Sequence, residues 1–249
     1  MIVLKTAREI DLMRKAGSIS AGALQVAGEL IADGVSTLDI DKRIKEYIVS
    51  RGARPNFLNY NGFPASACIS LNDEVIHGIP SAKRKLKTGD IVKVDVGAEI
   101  DGYHGDNAMT FKVGQVSADA ERLMQATQQS LVLGLAAAQE GNRVGDISHA
   151  VQRHIEGLRM AVVTRFVGHG IGRKLHEAPD VPNFGAPGRG PKLLGGMTIA
   201  IEPMVNLIGE DVYILGDGWT VKTKSGSLSA HYEHTVAITK NGPVILTEL

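Results

Sequence analysis

Apolar residues recur at helical spacing over residues 6–32, where Ile10, Met13, Ala16, Ala23, Leu24, Ala27 and Leu30 define one stripe and Thr6 stands in position to cap it. The same period marks 37–51, with Leu38, Ile40, Ile44, Tyr47 and Ile48 as the stripe, Ser36 or Thr37 at the N-cap and Gly52 as the stop. The pattern then shortens into strand-like runs at 66–71, 91–98 and 107–113. Helical spacing returns over 118–139 and 145–157, and strand-like runs follow near 161–167, 197–205, 211–214, 219–223 and 228–239. The Gly/Pro-rich stretch GAPGRGPKLLGG at 185–196 predicts an irregular loop. Helices grouped apart from mostly antiparallel strands predict an α+β fold.

The order of two helices followed by strands occurs twice. GVSTLDIDKRIKEYI from Gly34 overlays GNRVGDISHAVQRHI from Gly141, which matches Asp39 with Asp146, Ile40 with Ile147, Ile44 with Val151 and Ile48 with Ile155. Two amphipathic helices after glycine turns can look alike without common origin, so the overlay alone leaves an internal duplication open. With 249 residues the chain can bury a substantial core. Lys plus Arg and Asp plus Glu both number 27, so no charge excess draws it to nucleic acid or anionic membranes. The single cysteine, Cys68, excludes an internal disulfide and suits a reducing compartment. No apolar run approaches the ~20 residues of a spanning helix, and the charged start MIVLKTAREIDLMRKAG does not read as a signal peptide. These features predict a cytoplasmic globular protein.

Five residues in specific settings carry the candidate chemistry. They are Asp95 in IVKVDVGA, Asp106 in DGYHGDNA, His169 in VGHGIGRK, Glu202 in TIAIEPMV and Glu233 in SAHYEHT. Val92, Val94 and Val96 share one strand face, so Asp95 points the other way. Alone it reads as a solvated strand residue. Asp106 follows a predicted DGYHG turn and alone reads as turn chemistry. Glu202 lies between Ile201 and Pro203, where an unpaired carboxylate is costly to bury. Glu233 shares a face with His231 and Thr235. His169, flanked by Gly168 and Gly170, has little side-chain bulk beside it. Four carboxylates with one imidazole favour Mn, Fe(II), Co or Zn over thiolate-type sites, and the set points to two divalent ions and hydrolysis.

The motifs CISLNDEVIHGIP at 68–80, DVGAEIDGYHGD at 95–106, GHGIGRKLHEAP at 168–179, IEPM at 201–204, and DGWTVKT with SAHYEHT over 217–235 resemble type I methionine aminopeptidases of the bacterial kind, over essentially the whole chain. The resemblance implies the pita-bread fold: a single catalytic domain over 1–249 with pseudo-symmetric halves of roughly 1–115 and 116–249, which makes the overlay a true repeat. It also implies that Asp95 chelates one metal, that His169 and Glu202 hold the other, and that Asp106 and Glu233 bridge both. By the same resemblance His77 contacts the scissile amide or the substrate backbone, His176 hydrogen-bonds the carbonyl oxygen, and Glu202 shuttles the proton as a metal-bridged hydroxide attacks. Removal of initiator methionine before a small second residue is the implied activity. Nascent chain N-termini are the implied substrate, with transient ribosome contact, no specific nucleic acid, no membrane and a monomeric state.

The family's methionine pocket corresponds to Phe57, Tyr60, Phe63, Cys68, Leu175 and Trp219, an apolar and aromatic set suited to a thioether. Seen alone, such a cluster reads as core. Leu175 stands where an aromatic is frequent and Asn61 where a His is frequent, which puts the pocket wall and a histidine at the entrance in doubt. Asn72 and Ser229 match a monovalent-cation site. Cys68 has no adjacent base and reads as a pocket residue rather than a nucleophile. GHGIGRK fails the phosphate-loop pattern at Arg173, and KRKLK at 83–87 reads as a solvated loop. Two other readings stand beside the first. One is an X-Pro peptidase on the same fold, such as aminopeptidase P or prolidase, which usually carries an added N-terminal domain. The other is a non-enzymatic binding protein on this fold.

Overall fold

The computed structural model describes residues 1–249. Helix α1 spans Ala7–Leu30 and begins with a reciprocal cap: Thr6 accepts from the Glu9 N–H while Glu9 accepts from the Thr6 N–H at 2.9 Å. Helix α2, Thr37–Ser50, is capped by Ser36. The first group of strands is β1 (Arg54–Pro55), β2 (Ala67–Leu71), β3 (Ile91–Ile100) and β4 (Tyr103–Lys112), all antiparallel about β3. Helices α3 (Ala118–Ala137) and α4 (Val144–Gly157) precede β5 (Ala161–Val162), β6 (Gly168–Gly170), β7 (Glu177–Val181), β8 (Thr198–Ile201) and β9 (Met204–Asn206). The chain closes with β10 (Val212–Ile214), β11 (Val221–Thr223), β12 (Ser229–His231), β13 (His234–Thr239) and β14 (Gly242–Ile245). The later strands form a five-stranded sheet in the order β14-β13-β8-β6-β7, a three-stranded sheet β12-β9-β5 and the hairpin β10-β11.

Each helix pair covers its own strands. Ile40, Ile44 and Ile48 of α2 and Ala23, Leu24 and Ala27 of α1 pack with Val92, Val94 and Val96, the apolar face read from the sequence. Ile147, Val151 and Ile155 of α4 pack with Leu123 and Leu131 of α3 and with Ile199, Ile201, Val236 and Ile238. Helices α2 and α4 both have 14 residues and start 107 positions apart. The bridges Ser36–Lys85 and Arg143–Lys192 and the short strands β1 and β5 recur at that same spacing.

Four predicted boundaries move. The turn before Asp106 is only Asp101–Gly102, both with positive φ (55° and 77°), which is the pattern of a two-residue type I′ hairpin. Asp106 therefore lies inside β4, not after a longer DGYHG turn. The run 197–205 divides at Glu202–Pro203, because Pro203 has no N–H to continue the ladder. The run 228–239 divides opposite it, at Tyr232–Glu233, with His231 paired to Met204 and His234 to Ile201. The predicted strand 161–167 is regular only at 161–162.

The two groups of strands are joined by a reciprocal pair of threonines. The Thr110 hydroxyl donates to the His231 carbonyl (2.7 Å) and accepts from the His231 N–H (3.0 Å). The Thr235 hydroxyl donates to the Asp106 carbonyl (2.8 Å) and accepts from the Asp106 N–H (3.1 Å). Both threonines are buried. Thr110→Val or Thr235→Val keeps the shape and leaves a buried N–H and C=O unpaired. Each should destabilise the protein by about 1–3 kcal/mol, read as a lower urea midpoint with unchanged slope. An unchanged midpoint would show that the joint contributes no net free energy.

Candidate metal centre

Strand pairing explains how the first two acids meet. Gly97 pairs with Asp106 and Asp95 with Ala108, so Asp95 and Asp106 are diagonal neighbours on one face of the β3–β4 hairpin. Cys68 of β2 pairs with Asp95 and joins that face. Glu202 and Glu233 project from the facing interruptions between β8 and β9 and between β12 and β13. The Glu233 N–H donates across to the Ala108 carbonyl at 2.9 Å. His169 sits on β6. Its flanking glycines do not leave it open, because the ring is buried. They let neighbouring chain approach: a Cβ at Gly168 would lie 2.4 Å from the Ala200 carbonyl oxygen, and one at Gly170 would lie 2.3 Å from that of Ala178.

These residues share a cleft of about 190 Å³ with fourteen lining residues. Its polar end holds Asp95, Asp106, His169, Glu202 and Glu233, with His77 and His176. Its apolar wall is Phe57, Tyr60, Phe63, Cys68, Leu175 and Trp219. The one further lining residue is Asn61. The wall is continuous with a buried cluster that includes Met13, Tyr103 and Ile171, so it is both core and cleft. Asn72 and Ser229 do not line the cleft.

The donor set fits a divalent cation on its own evidence. Asp95 Oδ1, Asp106 Oδ1 and Glu233 Oε1 are buried with no hydrogen-bond partner. His169 Nδ1 lies 2.9 Å from the Gly170 carbonyl, which can only accept, so Nδ1 carries the proton and Nε2 presents a lone pair. That lone pair faces Glu202 Oε1 at 3.6 Å and Asp106 Oδ2 at 3.9 Å. A lone pair aimed at two carboxyl groups is favourable only with a proton or a cation between them. Ligand atoms of Asp106, His169 and Glu233 lie within 4.8 Å of one another, as do those of Glu202, His231 and Glu233. Glu233 belongs to both groups, and Asp95 lies in the cleft outside them.

His231 was not singled out as a site residue from the sequence. Its Nε2 is 3.6 Å from Glu202 Oε2, and neither ring nitrogen has a partner. The only sequence signal was its shared strand face with Glu233.

Burial pushes Asp95 up to about 7 and Glu202 up to about 8. Burial and the neighbouring carboxylates push Asp106 and Glu233 well above the usual range. Burial lowers His169 to about 3, and His77 and His231 to about 4. The Cys68 thiol is pushed well up by burial and by the acids around it, which suits a packing role.

Around the cleft, Tyr60 Oη lies 2.8 Å from His176 Nδ1 and the two rings stack at 5.3 Å. His77 has φ of 59° and stands edge-on to Phe166 (5.9 Å) and Trp219 (6.2 Å). A side chain held in the left-handed region is costly, and such positions cluster where function constrains the backbone.

A family model described as metallopeptidase family M24 matches residues 11–240. The chain is 53% identical over 247 residues to a methionine aminopeptidase of Clostridium perfringens, covering 99% of each. It is similar to the crystal structure of a methionine aminopeptidase from Thermotoga maritima, with a TM-score of 0.99, 42% identity and all of both chains covered. A prolidase from Pyrococcus horikoshii shares the fold, with a TM-score of 0.81 at 23% identity over all of this chain and 64% of that one.

Carboxyl groups that hold protons more tightly when folded make stability fall as pH rises from their unfolded values near 4 through their folded ones near 7–8 and beyond. Histidines with lowered folded values oppose this only up to their unfolded value near 6.5. Lys93, lowered by burial to about 7, opposes it above that value by a single proton. In the presence of chelator, Tm should therefore fall between pH 6.5 and 8. Excess divalent cation should abolish the fall, and its binding should release protons. A chelated protein whose Tm rises over that interval would contradict the assignment of these groups.

Proposed function

Because the chain belongs to metallopeptidase family M24, we propose that it removes N-terminal methionine from nascent proteins and peptides whose second residue is small. The observation that carries this reading is one cleft with buried carboxyl groups and His169 at one end and an apolar, aromatic wall at the other. Its volume of about 190 Å³ is below the ~300–1,000 Å³ of pockets for larger ligands, and suits a single amino-acid side chain. The family implies divalent metal binding. In our reading Asp95 would hold one ion, His169 and Glu202 would hold the other, and Asp106 and Glu233 would serve both. Co, Mn, Fe(II) or Zn fits these donors. When bound, such ions supply Lewis acidity at the peptide carbonyl and make water nucleophilic at neutral pH.

The remaining roles belong to side chains. In our reading the Tyr60 hydroxyl, 2.8 Å from His176 Nδ1, donates to it, which leaves the proton on Nε2 to hydrogen-bond the carbonyl oxygen as charge develops there. His77, kept neutral by burial, contacts the scissile amide or the substrate backbone. Glu202 takes the proton and returns it to the leaving amine. Phe57, Tyr60, Phe63, Cys68, Leu175 and Trp219 receive the methionine thioether through dispersion and sulfur–aromatic contact. We further read the chain as one catalytic domain with halves of roughly 1–115 and 116–249, supported by the features that recur 107 positions apart. No helix is long and apolar enough to cross a membrane. The proposed setting is the cytoplasm, with a monomer in transient contact with ribosomes.

The substrate reading is tested by offering Met-Ala-Ser, Ala-Pro-Phe and Met-Pro peptides with added Mn. Release of Met from Met-Ala-Ser, with Ala-Pro-Phe left intact, is the expected result. Release of Ala from Ala-Pro-Phe would favour the X-Pro reading instead.

The division of roles is tested by two histidine variants. Loss of one oxyanion donor costs roughly 10²–10³ in kcat. His176→Ala should show that loss with nearly unchanged KM and metal content. His169→Ala should weaken metal binding itself in a calorimetric titration. Equal loss of metal in both variants would overturn the assignment.

A further inference from the structure

Lys93 is buried in β3 at 1% exposure and takes no part in the proposed chemistry. It is one row along the strand from Asp95, between Ser70 of β2 and Thr110 of β4. A buried ammonium is costly unless something replaces its hydration. Its Nζ donates 2.8 Å to the main-chain carbonyl of Asn72. That same oxygen accepts the Ser229 N–H at 3.0 Å. Both of its lone pairs are therefore in use.

The rest of Asn72 is equally committed. Its side-chain oxygen accepts from the Ile91 N–H at 3.0 Å, and its amide donates to Asp90 at 2.9 Å. The Ser229 hydroxyl donates to the Val205 carbonyl at 3.1 Å. Asn72 itself is held at φ of 48°. The acids Glu74, Asp73 and Asp90 raise the proton affinity of Lys93, while burial and Arg84 lower it. Three segments thus converge on one positive charge: the turn after β2, strand β3 and strand β12.

These contacts do not fit a free monovalent cation bound at Asn72 and Ser229. We propose that the Lys93 ammonium is a covalently tethered replacement for that cation. It ties the turn that leads to His77 against β12, which leads to His231 and Glu233, and it makes the protein independent of Na⁺ and K⁺. Lys93 is a positioning residue in this role. The inference concerns the fold and does not rest on the peptidase reading.

Thermal unfolding tests it with the full chain at pH 6, where the lysine is protonated, in buffers whose only monovalent cation is tetramethylammonium, too large for such a site. Replacing tetramethylammonium by Na⁺ or K⁺ at matched ionic strength should leave the wild-type Tm unchanged. Lys93→Ser, which removes the ammonium and leaves space, should lower Tm by roughly 5 °C in tetramethylammonium. Na⁺ or K⁺ should restore at least half of that loss with a saturable dependence. Lys93→Met, which fills the space without charge, should lose stability and gain nothing from either ion. A saturable rise of the wild-type Tm with Na⁺ or K⁺ overturns the proposal. So does a Lys93→Ser protein that stays unfolded, or keeps the same Tm, whatever the ion. Because Tm is read without substrate, a failure here is distinct from a failure to release methionine.

Discussion

Taking a carboxylate out of water without a compensating charge is among the costliest things a fold can do. Asp95, Asp106, Glu202 and Glu233 are brought into one cleft that no lysine or arginine lines, and three of their oxygens have no hydrogen-bond donor. His169 offers a lone pair rather than a proton. The groups therefore hold protons or gather cations. The same electrostatic constraint ties stability, pH and metal together, since what neutralises the acids also relieves the strain of burying them.

The chain reaches that arrangement by interrupting regular structure where two sheets meet. Glu202 and Glu233 occupy facing breaks, one enforced by Pro203 and the other set against it by the pairing of His231 with Met204 and His234 with Ile201. Asp95 and Asp106 stay within an unbroken hairpin. A rigid pair of acids thus faces a pair carried by junctions. The threonine contacts at Asp106 and His231 hold the two groups of strands in register, one at the main chain of a cleft residue and the other at that of the histidine beside Glu202.

Among the contacts between the apolar wall and the polar end, that of Tyr60 with His176 combines a hydrogen bond and a ring stack. Tyr60 lines the wall and touches His176, so the side chain proposed to receive methionine also orients the imidazole proposed to meet its carbonyl. This links recognition of the first residue to placement of a proton donor. Leu175, in place of a frequent aromatic, is buried in the wall and lines the cleft.

Several features were legible in the sequence because they are encoded within a few residues. The four helices followed from 3.6-residue spacing, helped at the first two by their caps, the valine face of β3 from strict alternation, and the donor types at the centre from their identity. The same was true of Thr6 as a cap, whose partner Glu9 is three residues away. Other features were decided only by tertiary structure. Phe57, Tyr60 and Phe63 could have been simple core until the fold opened a cleft beside them. His231 came beside Glu202, and Lys93 came onto Asn72, through contacts across 29 and 21 positions of chain. Thr110 met His231 across 121. Periodicity reports which face of an element is buried. It carries no information on which distant residue will be found there, because that depends on how separately formed sheets pack against each other.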